Sequence, residues 1–245
     1  MNENYLLNVL NILRIIKDFG NLANSGLDHI QKWIGPEQQY STILKFATYI
    51  QQQCEGALVI LSEVNLTTEA KEGLIQTVNN IAMAFRVDQL SGAIANHLPR
   101  IESAISQFAI IVSLTGRDVK ASEIDELRQL IAEVEAVRTQ FDQAELDPLV
   151  AQTANKHLHV LATFLRNVDA LGLDAAIAAY AELIIKLKRV DATATEQSKA
   201  KTSELWTAIK SWQDRFASID QAVNTGSSLL QHGEGLIKLI GSAVG

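Results

Sequence analysis

Apolar residues recur at three- and four-residue steps along almost the whole chain, and this spacing constrains the fold more than any other feature. Runs that combine strand alternation with β-branched and aromatic enrichment are few. No Asn-Gly or Asp-Gly hairpin signal occurs. Glycine and proline sit where helices should start or stop. The spacing predicts a helix from about Asn4 to Phe19, closed by Gly20, and a short one ending near Ile34. Gly35-Pro36 breaks the chain before a long helix to about Val64, interrupted only by Gly56. Thr67 or Thr68 caps a helix reaching Leu90, and Pro99 opens another that ends at Thr115-Gly116. Ser122 with Asp125 resembles a weak capping pair for a helix to about Leu146. Asp147-Pro148 is the clearest start signal, an acid at the N-cap followed by proline in the first turn. That helix is expected to stop at Gly172, with the next running from Leu173-Asp174 through Arg189. A linker, Asp191 to Ser198, leads into a helix carrying Trp206, Trp212 and Phe216, and Gly226 precedes a last amphipathic segment. The fold class is therefore all-α, a multi-helix bundle of about nine or ten helices.

Composition removes several classes. At 47% hydrophobic, the chain can bury a core, so it is not a disordered segment. Cys54 is the only cysteine, which excludes an internal disulfide framework or a cysteine-based zinc site. A net charge of −7 argues against a general nucleic-acid binder, which needs a basic face for phosphates. The first residues, Met1 to Asn4, carry an acid where a secretory signal carries positive charge, and Arg14 and Lys17 interrupt the apolar run behind them. The longest uncharged stretch, Ser103 to Gly116, makes a helix of about 21 Å, against a hydrocarbon core of roughly 30 Å. No transmembrane span is expected. A cytoplasmic location is the expectation, and a lone cysteine fits it.

Catalytic and metal-binding patterns are missing from the sequence. None of the five histidines has the Glu partner three residues before it that a di-iron carboxylate bundle uses, and no His-Glu-x-x-His occurs. His157 and His159 are two apart, about 200° around a helix, so one is expected toward solvent and the other partly buried. Gly-x-Ser-x-Gly, Gly-x-Gly-x-x-Gly and a Walker-type loop are all absent. Gly233-Glu234-Gly235 follows no strand and places an acid where a phosphate would sit. Glu55 beside Cys54 disfavours a thiolate, so a structural cysteine is expected. The sequence thus predicts no enzyme, no cofactor and no metal site.

Charge and amphipathy point instead to surfaces. Between Asp118 and Asp147 nine acids face three cations, a balance of 3 − 9 = −6. Glu123, Asp125, Glu126, Glu133 and Glu135 form a candidate acidic interaction face there. Lys186 to Lys201 is basic, suited to pairing with those acids or touching anionic headgroups. Trp206, Ile209, Trp212 and Phe216 follow 3-3-4 spacing and read as one core stripe. The first helix is apolar on so much of its circumference that it must be covered on more than one side.

At the other end, Leu229, Leu236, Leu239, Ile240 and Val244 share one half of the helical wheel. With Ile237 they make the candidate contact for a partner or membrane. Five glycines, at 226, 233, 235, 241 and 245, punctuate this segment, and each interior one costs a helix about 1 kcal/mol. The expected organisation is an N-terminal bundle over 1–116, a C-terminal bundle over 117–225 and the tail 226–245, with a single domain over 1–245 as the alternative. Three functions remain, in order. The first is a non-enzymatic protein acting through protein–protein interaction or self-assembly, with the terminal helix as contact. The second is a membrane-active effector, pore-forming or membrane-associating; the third is an enzyme with an unadvertised site. Glycine-punctuated apolar ends occur in helical pore-forming toxins and in helical adaptor modules, an architecture that does not fix function. A protein partner or self-association is expected, nucleic acid is not, and peripheral membrane contact stays open.

Overall fold

The computed structural model describes residues 4–19, 23–35, 39–115, 124–143 and 146–223. Its elements are α1 (Tyr5–Asp18), α2 (Gly26–Ile34), α3 (Tyr40–Glu63), α4 (Thr68–Ala84), α5 (Ile101–Thr115), α6 (Asp125–Gln143), α7 (Pro148–Arg166), α8 (Val168–Leu171), α9 (Leu173–Asp191) and α10 (Glu196–Val223). A single 3-10 turn, Ile94–Asn96, precedes α5. The protein is all-α: the described residues contain no strand, only an isolated bridge between Ser25 and Ala93.

Polar side chains start several of these helices. Ser25 and Asp28 form a full capping box at α2, with the Ser25 hydroxyl accepting from the Asp28 N–H at 3.1 Å. Thr67 caps α4 and Asp147 caps α7, where the carboxylate accepts from the Leu149 N–H at 2.9 Å beside Pro148. Gly56 does not interrupt α3. A Cβ there would lie 2.4 Å from the Tyr5 ring, so the glycine makes room for α1 against α3.

Two expected helix ends lie elsewhere. α4 stops at Ala84 rather than Leu90 because the following backbone has another task. The Leu90 and Gly92 carbonyls accept from the Leu27 and Gly26 N–H groups, which the first turn of α2 leaves unpaired. α7 stops at Arg166 rather than Gly172. The Asn167 side chain donates to the Thr163 carbonyl at 2.7 Å, replacing a backbone bond, and the short α8 follows. The linker before α10 is shorter than expected, with α10 starting at Glu196.

The described chain forms two compact units, 4–115 with Asp169–Gly172, and 124–168 with 173–223. In the first, α1 packs on α3 and α5, α3 also meets α2 and α4, and α4 meets α5. Leu6 through Leu13 are all buried, so α1 is a central helix covered on several sides. In the second, α6 packs on α7, α7 on α9, α9 on α10 and α10 back on α6, closing a four-helix ring. Its core includes Leu130, Leu158, Leu161, Tyr180, Leu183, Trp212 and Phe216.

Candidate functional site

The C-terminal unit builds its most distinctive surface on the helices that hold its aromatic core. Ile209, Trp212 and Phe216 are buried on α10. Tyr180 of α9 faces them, its ring centroid 5.2 Å from Phe216 and 6.4 Å from Trp212. The Tyr180 hydroxyl donates to the Ile209 carbonyl at 2.8 Å. Burial, and then the charge of Asp214, push its phenol above the ordinary tyrosine range. Trp206 departs from the expected core stripe. One turn before Ile209, it is only half-buried and lines an open hollow of about 530 Å³ with Lys188, Asp191, Ala192, Ser203, Thr207 and Lys210.

The hollow unites residues that are far apart in sequence. Lys188 and Lys210 are exposed and hold no ion pair among the described residues. Asp191 accepts from the buried Thr202 hydroxyl at 3.3 Å. The exposed Thr207 donates to the Ser203 carbonyl at 3.1 Å. The sequence carried a partial signal, because Lys188 belongs to the basic stretch from 186 to 201. Trp206 reads from the sequence as part of the core stripe, and Lys210 belongs to no recognisable motif.

The candidate acidic face is partly occupied within its own unit. Glu135 accepts from Arg138 at 3.1 Å and from Arg166 at 2.6 Å, and Glu133 pairs with Arg215 at 2.6 Å. Asp125 meets Arg128 at 3.1 Å, and Glu126 is exposed. These cations come from α6, α7 and α10; none belongs to the basic stretch that the sequence offered as a partner. Glu123 and the tail residues Leu229, Leu236, Ile237, Leu239, Ile240 and Val244 lie outside the described residues.

Cys54 is fully buried, and its burial, with Glu55 adding to it, pushes the thiol well above its ordinary range. His157 is buried, whereas His159 is half-buried with its Nδ1 3.3 Å from the Arg138 guanidinium. His29 is buried with Nδ1 3.0 Å from the Ser25 carbonyl, and its Nε2 has no hydrogen-bond partner among the described residues. No group of three or more His, Cys, Asp or Glu able to hold a metal occurs among the described residues.

The N-terminal unit contains a buried amide cluster. Asn8 donates to the Gln53 side-chain carbonyl at 2.8 Å, and Gln53 donates to the Leu171 backbone carbonyl at 2.7 Å. Asn11 donates to the Asp169 carbonyl at 2.9 Å. Two amides, Asn11 on α1 and Gln53 on α3, therefore hold the segment Asp169–Gly172 by its main chain, and Asn8 braces Gln53. Gly172 has φ +80°, and a Cβ there would come within 3.1 Å of Gln53 Nε2. Such hydrogen-bonded buried polar groups specify one arrangement of a core.

The fold defines an all-α bundle class, and comparison takes the chain no further: no protein-family model, no curated protein and no solved structure matches it.

Proposed function

We propose that the protein is a non-enzymatic helical interaction module that binds a protein partner or a second copy of itself through its C-terminal segment. The observation that carries this reading is the apolar half-wheel of Leu229, Leu236, Leu239, Ile240 and Val244 in a segment whose glycines make a lone helix marginal. Such a segment gains its order from a surface it packs against. The acids of α6 contribute little by comparison, because Glu133 and Glu135 are engaged by arginines of their own unit. Sedimentation of the full chain beside a truncation ending at Thr225, with affinity capture from lysate, tests the proposal. Self-association or capture that disappears on truncation, and in the Leu236→Asp/Ile240→Asp variant, is the expected result. A strictly monomeric chain that retrieves no partner overturns it.

The membrane-active reading is second, favoured by α5. That helix is uncharged from Ser103 onward and leaves Ile110 60% exposed. No described helix is long and apolar enough to cross a membrane. Association would therefore be peripheral or would require rearrangement. Leakage of anionic liposomes by the full chain, lost on the same truncation, supports this reading, and no liposome association at all removes it.

A further inference from the structure

We infer that the hollow between α9 and α10 is a binding site for a phosphorylated polyol, either free or presented as a lipid headgroup. Its lining joins three chemistries that such a ligand engages together. Lys188 and Lys210 place two ammonium groups from different helices on one concave surface, with no carboxylate paired to either among the described residues. Two unpaired cations on one hollow attract a phosphate, whose charge they share through charge-assisted hydrogen bonds. Asp191 lies on the same lining, and its carboxylate accepts from Thr202 alone among the hydrogen bonds the described residues show. A bare phosphate gains nothing from that carboxylate and is repelled by it. A polyol hydroxyl donates to it, and the lone pairs of Thr207 and Ser203 accept from neighbouring hydroxyls. Trp206, half-buried at the same wall, presents an apolar ring to the C–H face of the polyol. The volume of about 530 Å³ is within the range of small-ligand sites.

The proposal draws on no residue of the C-terminal segment, so its failure leaves the interaction proposal standing, and the reverse also holds. The test uses the full chain with the Trp206 indole followed by NMR and affinities by calorimetry. Probes are sn-glycerol 3-phosphate, inorganic phosphate, and vesicles of phosphatidylcholine with or without phosphatidylinositol. Glycerol 3-phosphate is expected to shift the Trp206 indole signal and to bind more tightly than inorganic phosphate. Lys188→Gln/Lys210→Gln, a pair of exposed changes that leave the helical circular dichroism unaltered, should weaken it about tenfold or more. Asp191→Asn should strengthen inorganic phosphate and narrow the preference for glycerol 3-phosphate over it. Binding to phosphatidylinositol vesicles that the two lysine changes weaken, without binding to glycerol 3-phosphate, also supports the site and assigns its source to a membrane. No Trp206 shift with any probe, or binding indifferent to both lysines, overturns the proposal. Equal affinity for the two free phosphates, unaffected by Asp191→Asn, overturns the polyol.

Discussion

Individual residues in this protein are most constrained where a polar or oversized group is buried. Gln53 is the clearest case, because it accepts from Asn8 and donates to the Leu171 carbonyl inside the N-terminal unit. Gln53→Ala strands both partners and leaves a cavity, and should cost about 2–4 kcal/mol in urea denaturation. A cost below about 1 kcal/mol would mean the amide network is not holding the segment. Gly56→Ala removes a helix-weakening residue yet drives a methyl into the Tyr5 ring, so the steric loss should exceed the gain of about 1 kcal/mol in propensity. Cys54, buried with its thiol kept protonated, should react with a disulfide reagent only as fast as the unit opens, and fully on denaturation. Gly56 could be marked in the sequence as an exception to helix rules, whereas its reason, the ring of Tyr5, comes from another helix. The same holds for Gln53, which looks like one member of a glutamine run.

At the scale of elements, caps and stripes make separate predictions. Ser25→Ala removes a capping box and should destabilise the N-terminal unit by about 1 kcal/mol. The Ser25 hydroxyl and backbone N–H hold the exposed Asp28 carboxyl below its ordinary value of 3.8. The folded state therefore binds that proton less readily than the unfolded chain. The stabilisation is present above the ordinary carboxylate value and is lost as pH falls through the lower folded one. Asp28→Asn should remove that part of the acid limb in thermal melts across pH 5 to about 2. On α10, Trp212→Ala should cost about 3–5 kcal/mol, since Trp212 is fully buried beside Tyr180. Trp206→Ala should cost far less, and the contrast separates the core part of the stripe from its half-buried start. Sequence spacing grouped the two tryptophans because periodicity reports which face a residue is on. It does not report how far along the helix its neighbours extend.

At the scale of the whole molecule, the unit containing residues 4–115 also contains Asp169–Gly172, which arrives from a distant part of the chain. A fragment ending at residue 116 therefore lacks the carbonyls that Asn11 and Gln53 bind. It should unfold at lower urea than the same unit in the full chain, measured by hydrogen exchange at α1 and α3. Equal protection in the two would show that the amides find other partners at no cost.

The sequence by itself determined the helical class, most helix starts and the need to cover α1 on several sides. These follow from contacts three and four residues apart and from capping groups adjacent to the turns they serve. The tertiary structure alone decided which arginines engage Glu133 and Glu135, why α4 ends before Leu90, where Asp169–Gly172 belongs and how Trp206 comes to line a hollow with Lys188 and Lys210. Each of these depends on groups brought together from separate helices, and such convergence leaves no periodic trace along the chain.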